Sequence, residues 1–125
     1  MTTAREPRIP GPDHPITVEP TGARVRVLAF GQVIAETSRA LTLREATYAP
    51  VQYIPLDDVD QALLTPSSTQ TYCPYKGEAS YYSITAGGES RADAVWSYRA
   101  PYDAVAEIVD HVAFYSDRAE VVIGS

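Results

Sequence analysis

The residues best suited to chemistry lie in one short stretch, TYCPYKG, at residues 71–77. It holds Cys73, the only cysteine of the chain. A nearby ammonium group favours the thiolate, which could act as a nucleophile or a redox group. A nucleophilic thiol normally needs a base, and neither histidine is close to Cys73 in the sequence. Two interpretations of Cys73 stay open: a catalytic thiol, or a small buried side chain at the end of a strand.

Lys76, in the same stretch, is the only lysine beside nine arginines. A lysine is a compact charge on a flexible stem, and it suits contact with a carboxylate or a phosphate. It could equally pair with Glu45 or Glu78, or form a Schiff base. A structural ion pair, an anion contact and covalent chemistry are therefore all open. Gly77 beside it permits a positive φ or a close approach of the backbone.

Aromatic residues on predicted strands could form the wall of a pocket. Trp96 and Tyr98 are two residues apart, so they share one face of a strand. Such aromatics are either core or a polar-tipped wall. Glu45, at the end of a predicted strand, could serve as an acid, a base or the partner of Lys76. The predicted ligand-binding residues are Lys76, Tyr82, Trp96, Tyr98, Glu45 and Tyr53.

Short β-strands would position these side chains. ARVRVLAF and ALTLRE alternate polar and apolar residues, which predicts half-buried strands with Val25, Val27, Leu41 and Leu43 facing inward. VIAET follows a tight turn at GQ and predicts the second strand of a hairpin. ITVEP, VQYI, EASYYSIT and DAVWSYR predict further strands, and TPSSTQT predicts a loop.

Two segments change to a helical period. PLDDVDQALLTP, at 55–66, predicts a short helix capped by Asp57 or Asp58, and APYDAVAEIVDHV, at 100–112, predicts a second one capped by Asp103. VAFYS and AEVVIG predict a closing hairpin. The fold class predicted is mainly β (α+β), with eight to ten short strands in two small antiparallel sheets and two short helices.

Charge and composition restrict the classes of function. The net charge is −6, and such a surface repels phosphate backbones, so no nucleic-acid partner is expected. No apolar run approaches the roughly 18 residues that span a bilayer, so no membrane partner is expected. The N-terminal residues lack the apolar segment of a secretory signal, which favours a cytoplasmic protein. The excess of arginine over lysine is typical of a GC-rich bacterial genome.

Metal-ligating residues are few. One cysteine and two histidines, His14 and His111, do not suffice for the closed sites that hold structural zinc. No motif supports a carboxylate site for a harder metal. We therefore expect neither a metal nor a cofactor.

Four prolines crowd the first fifteen residues. They predict a flexible N-terminal arm at 1–15, followed by a single domain at 16–125. His14 is interpreted as a polar residue of this arm. The domain is expected to be a monomer or a homodimer.

Four blocks resemble the DUF427 family of small bacterial and fungal domains: RVRVLAFGQVIAETSRALTLRE, VQYIPLDDV, TYCPYKGEASYYSI and AVWSYRAPYDAVAEIVDHVAFY. Their order and spacing match over residues 16–124. The resemblance implies a β-tent-like, Mss4-like fold, in which the two sheets meet at an angle. Paired CxxC zinc ligands, common in proteins of that fold, do not occur in this chain.

The DUF427 family has no established activity, although it sometimes carries a nucleotidyltransferase label. The chain has no Gly-Ser motif followed by paired aspartates to hold Mg²⁺ and a triphosphate. Asp57, Asp58 and Asp60 do not share one face of a helix well, so a capping role explains them better.

Whether the chain is an enzyme is left open. The leading prediction is a domain that binds a small polar or anionic molecule in a pocket near the CPYKG loop. The alternatives are a thiol-dependent enzyme using Cys73 and a protein-interaction module without catalysis. The cysteine has no evident base or resolving partner, and this favours binding.

Overall fold

The computed structural model describes residues 7–124, and ten β-strands alternate there with short turns. The strands are β1 Ile16–Pro20, β2 Val25–Ala29, β3 Gln32–Thr37, β4 Leu41–Glu45, β5 Val51–Pro55, β6 Leu64–Cys73, β7 Gly77–Ala86, β8 Glu89–Tyr98, β9 His111–Phe114 and β10 Glu120–Ile123. Three 3₁₀ turns lie at Leu56–Asp58, Gln61–Leu63 and Asp103–Ile108. The prediction of a mainly β chain is confirmed.

The strands form two antiparallel sheets, as predicted. The larger has seven strands in the order β1-β4-β5-β9-β8-β7-β6, and the smaller has three in the order β10-β2-β3. Long hairpins build the β6-β7-β8 part of the larger sheet. Within residues 7–124, the β1-β4-β5 part pairs with it only where β5 meets β9, through the pairs Ile54–Val112 and Pro55–His111.

The first hairpin shows how local sequence sets the pairing. Phe30 and Gly31 connect β2 to β3 with φ of 54° and 75°. Two left-handed residues in succession form the turn whose twist matches that of paired strands. The hairpin was predicted, but its turn lies one residue before the predicted GQ.

Two apolar clusters form the core, one on each face of the larger sheet. The first includes Val25 and Val27 of the smaller sheet together with Ile54 and Val95 of the larger one, so it lies between the sheets. The second includes Leu43, Tyr53, Ala79, Tyr81, Tyr98, Val105 and Ile108. Neighbours on one strand divide between the clusters because side chains alternate across a strand. This alternation brings Tyr53, Tyr81 and Tyr98 to the face away from the smaller sheet.

The two predicted helices occur only as short 3₁₀ turns. In the first segment, Val59 is extended and forms a bridge with Ala35, which separates two turns of three residues each. Asp60, rather than Asp57 or Asp58, accepts a hydrogen bond from the backbone of the following turn. In the second segment, Asp103 is not the cap, and Val105 departs from helical geometry. Burial of Val105 and Ile108 decides this conformation over helix propensity.

Two further predictions are wrong. The closing hairpin does not form, because β9 pairs with β5 and β8 while β10 pairs with β2. The predicted loop at 65–71 lies within β6, where a bulge between Pro66 and Gln70 takes up the irregular sequence. Asp93 stabilises this bulge by accepting hydrogen bonds from Ser67 and Thr69.

Within residues 7–124, no helix has the length and apolar character needed to cross a membrane. The part of the predicted N-terminal arm at residues 1–6 lies outside the described residues. Further along the arm, the Arg8 amide donates to the Pro74 carbonyl at 2.8 Å, so this segment contacts the CPYKG loop.

Candidate functional site

The CPYKG stretch is a tight turn whose backbone is fixed on both sides. β6 ends at Cys73, β7 begins at Gly77, and the two residues are paired. The Lys76 amide donates to the Cys73 carbonyl at 3.2 Å, and the Lys76 carbonyl accepts from the Tyr102 amide at 3.0 Å. The turn thereby fixes the backbone of Lys76 at the end of the β6–β7 hairpin.

Lys76 forms a partly buried ionic cluster with Glu45 and His14. Its Nζ donates to Glu45 Oε1, and His14 Nε2 donates to Glu45 Oε2 at 2.7 Å. The Lys76 and Glu45 side chains are only 12% and 10% exposed. Tyr75 stacks on the His14 ring at a centroid distance of 4.0 Å. The acidic partner that the sequence suggested for Lys76 is therefore present, with a histidine on its other oxygen.

Beside this cluster lies a cavity of about 190 Å³, which we call the aromatic cavity. Aromatic rings predominate among its lining side chains: Leu43, Glu45, Tyr48, Ala49, Val51, Tyr53, Lys76, Tyr81, Trp96, Tyr98 and Tyr115. The structure therefore brings five of the six predicted binding residues to one cavity: Lys76, Glu45, Tyr53, Trp96 and Tyr98.

Hydrogen bonds hold most of these rings in place. Trp96 Nε1 donates to Tyr53 Oη at 3.1 Å, and Trp96 contacts the Tyr115 ring at a centroid distance of 4.5 Å. Tyr81 Oη shares hydrogen bonds with Thr71 and Tyr115. These contacts restrict the rotation of the Tyr53, Tyr81, Trp96 and Tyr115 side chains.

Tyr98 differs from the other rings. Lys76 Nζ lies 5.8 Å from its centroid, yet no hydrogen bond within residues 7–124 engages the Tyr98 hydroxyl. Burial raises the pKa of both Tyr98 and Tyr53 well above the usual tyrosine value. Their hydroxyls therefore stay protonated at neutral pH, and that of Tyr98 can donate to a ligand.

Tyr115 is also kept neutral. Burial, followed by its hydrogen bond with Tyr81, raises the pKa of Tyr115 to about 12. Burial thus keeps the hydroxyls of Tyr53, Tyr98 and Tyr115 uncharged at physiological pH.

Opposing effects act on the pKa of the Glu45 carboxyl. Burial raises the pKa of its carboxyl, but the hydrogen bonds and positive charges of Lys76 and His14 outweigh burial, and the net pKa is lowered. Glu45 is therefore ionised at neutral pH and compensates the charge of Lys76.

This lowered pKa predicts a pH dependence of stability. A carboxyl whose folded pKa lies below its unfolded value of about 4.3 stabilises the fold above that pH. The contribution is lost as the pH falls through the folded pKa. The difference in melting temperature between the wild type and Glu45→Gln should therefore be largest at pH 6 and should become smaller below about pH 4. Thermal unfolding of both proteins from pH 6 to pH 3 tests this, and a constant difference would contradict it.

Tyr82, the sixth predicted residue, lies on the other face of the sheet. It pairs with Val95, whereas Tyr81 pairs with Trp96. Tyr82 lines a separate cavity of about 210 Å³, and its hydroxyl accepts from Arg99 at 3.2 Å. Tyr98 borders this cavity as well as the aromatic one, but Trp96 does not, so Tyr82 does not share with Trp96 the wall predicted for it.

Cys73 is half-buried and packs against the second apolar cluster. Within residues 7–124, no hydrogen bond joins its side chain to either histidine: His14 bonds to Glu45, and His111 Nδ1 donates to the Val109 carbonyl. Among the same residues, no group of three or more His, Cys, Asp or Glu side chains could hold a metal ion.

Sequence reasoning missed four residues of the site. Tyr81 could have been found, because it lies opposite Trp96 on the neighbouring one of two strands that were both predicted. Tyr115 was placed in a hairpin that does not form. Tyr48 lies in the β4–β5 loop, and its ring meets His14 edge-on at 6.4 Å. Nothing in the proline-rich segment around His14 indicated a contact with Glu45.

The fold and the cavity together define a class: a small antiparallel β domain with a concave, aromatic-walled site that contains one ion pair. The family model for the domain of unknown function DUF427 matches residues 17–124, and the chain belongs to this family. The resemblance seen in the sequence is thereby confirmed. A search of curated proteins finds no match.

Proposed function

We propose that this protein binds a small polar or anionic molecule in the aromatic cavity, beside the CPYKG turn. The observation that carries the proposal is the convergence of the Lys76–Glu45 pair and several aromatic rings on one cavity. Concave sites with largely apolar walls and a few convergent polar groups are the usual form of a small-molecule site.

The polar groups leave donors free for a ligand. An ammonium group has three N–H donors, and the structure engages one of those of Lys76, with Glu45. The Tyr98 hydroxyl adds another donor. Glu45 is the one carboxylate among the lining residues described, and each of its oxygens already accepts a hydrogen bond, from His14 or Lys76. An excess of donors favours a ligand that presents oxygen acceptors, such as a carboxylate or a phosphate.

No observation favours the alternative of a thiol-dependent enzyme, because Cys73 is not among the side chains that line the aromatic cavity. A protein-interaction module would not need a concave site at Lys76. A cytoplasmic location, a monomeric or homodimeric state and the absence of nucleic-acid or membrane partners belong to the proposal. So does the β-tent arrangement, which the core between the two sheets supports.

Replacement of Lys76 by Met should remove ligand binding. We expect some carboxylates or phosphates to raise the melting temperature of the wild type, because a ligand that binds only the folded state stabilises it. This increase should vanish in Lys76→Met, since charge-assisted hydrogen bonds contribute roughly 1.5–3 kcal/mol. The measurement is thermal unfolding across a panel of carboxylates, phosphates and nucleotides, each variant compared with its own ligand-free state.

Two further variants make this test specific. Tyr98→Phe should keep the wild-type stability, because the lost hydroxyl has no partner within residues 7–124, yet it should weaken binding by roughly fivefold, the value of one hydrogen bond. Arg24→Met removes an exposed cation elsewhere and should leave binding unchanged. If no compound stabilises the wild type, or if Lys76→Met responds like the wild type, the proposal is wrong.

A further inference from the structure

A second concave space adjoins the aromatic cavity and has a different chemistry. Its volume is about 450 Å³, and we call it the apolar groove. It is lined by Ala49, Pro50, Val51, Gln52, Trp96, Phe114, Tyr115, Ser116, Val121 and Ile123. The two spaces share Ala49, Val51, Trp96 and Tyr115, so they lie side by side with the Trp96 and Tyr115 rings at their boundary.

The apolar groove has no charged side chain among its lining residues, in contrast to the neighbouring cavity. It lies where the two sheets meet, since Val121 and Ile123 belong to β10 of the smaller sheet while Trp96 and Phe114 belong to the larger one. Ile123 is 54% exposed. An exposed apolar side chain on a concave surface gains by contact with an apolar partner.

Polarity thus changes in one direction from the aromatic cavity to the neighbouring apolar groove. At one end, Lys76 and the Tyr98 hydroxyl offer donors. In the middle, the Trp96 and Tyr115 rings offer flat apolar surface. At the far end, Val121 and Ile123 offer aliphatic surface. A ligand that matches this sequence has a negatively charged head and an apolar tail.

We propose that the ligand of this protein is an amphiphilic anion, a carboxylate or phosphate monoester bearing an apolar chain or ring. Its head contacts Lys76 and Tyr98, and its tail passes Trp96 and Tyr115 into the apolar groove. This inference rests on the proposed function, because the head uses the same cavity. The four lining residues that the two spaces share and their opposite chemistry support a single ligand that occupies both.

A series of straight-chain carboxylates separates the two proposals. The dissociation constant of each acid from two to ten carbons is measured by calorimetry with the full chain, below the concentrations at which micelles form. Each added methylene that enters the apolar groove should tighten binding by about fourfold. If the short acids bind through Lys76 but affinity does not depend on chain length, the inference is overturned and the proposed function stands. If no acid binds, both the proposed function and this inference are wrong for carboxylates. The same series of alkyl phosphates is then measured, and both are overturned if no phosphate binds.

A pair of matched variants locates the tail. Ile123→Ser should weaken the binding of the ten-carbon acid by roughly tenfold and leave the two-carbon acid unaffected, since only the long acid reaches β10. Val33→Ser is the control: Val33 is 46% exposed and lies on β3, the opposite edge of the same sheet. It should bind both acids like the wild type. Equal effects of the two variants would overturn the inference.

A second copy of the chain is the other candidate occupant of the apolar groove. In that case light scattering would show a dimer that Ile123→Ser dissociates, and long acids would gain no affinity in the wild type. This result would also overturn the inference. We expect Ile123→Ser to leave the oligomeric state unchanged.

Discussion

Replacement of Glu45 by Gln should lower the free energy of unfolding by about 3 kcal/mol at pH 7, the lower end of the range for breaking a buried ion pair. Glu45 alone links Lys76 and His14, and its removal leaves the Lys76 ammonium without an acidic partner in a poorly solvated place. The lower end applies because the Lys76 and Glu45 side chains keep some contact with solvent, at 12% and 10% exposure. Chemical denaturation at pH 7 measures the effect.

The double variant Glu45→Gln/Lys76→Met is the sharper test. Replacing both members of a buried pair by neutral groups is often nearly neutral or stabilising, so the double variant should regain most of the stability lost in Glu45→Gln. Glu36→Gln provides a matched control, because its ion pair with Arg24 is exposed and should contribute less than about 0.5 kcal/mol. A double variant less stable than Glu45→Gln would show that packing, and not the charge, is the main contribution.

Replacement of Gly77 by Ala should cost about 2 kcal/mol. Gly77 has a φ of +115°, a conformation that residues with a β-carbon rarely adopt, and an added Cβ would lie 3.3 Å from the Ala100 carbonyl oxygen. Backbone atoms cannot move aside as a flexible side chain can. The strand start next to Lys76 would therefore have to shift, and we also expect weaker ligand binding. Thermal denaturation and the ligand panel measure the two effects.

Gly87→Ala separates the cost of a positive φ from the cost of the close approach to Ala100. Gly87 also has a positive φ, +59°, but an added Cβ there would meet no atom within 4 Å. It should cost about 1 kcal/mol, the effect of the left-handed conformation alone. If Gly77→Ala were no more costly than Gly87→Ala, the close approach to Ala100 would have no energetic weight.

Local sequence patterns predicted the strands and much of the site. Alternation placed Val25 and Val27 in the core and put Trp96 and Tyr98 on one face, because a strand's period of two is a property of the backbone. The rarity of lysine drew attention to Lys76. Residues paired across a hairpin point to the same side of the sheet. Alternation counted across the turn at Gly87 would therefore have placed Tyr81, and not Tyr82, on the same face as Trp96.

Contacts between distant segments could not be predicted in this way. β9 lies between β5 and β8 and completes the seven-stranded sheet. No pattern within residues 111–114 predicts this pairing. The Asp103–Ile108 segment has the apolar spacing of an α-helix, but Val105 and Ile108 fit the core through a tighter, irregular turn. His14 reaches Glu45 from 31 residues away, beyond the range of any local signal.

The short pairing between β5 and β9 affects the order in which the parts of the chain fold. Glu45 and Tyr53 come from the β1-β4-β5 part, whereas Lys76, Trp96 and Tyr98 come from the hairpins. Within residues 7–124, only two pairs of strand residues, both between β5 and β9, join the parts by sheet pairing. Local hairpins close quickly, while pairings between segments distant in the chain form slowly because the entropy of a long loop must first be lost. A nascent chain whose hairpins have formed therefore presents Lys76 and the aromatic rings on an incomplete surface. A ligand of the proposed site would therefore bind only after β5 and β9 have paired, and its binding would report that the larger sheet is complete.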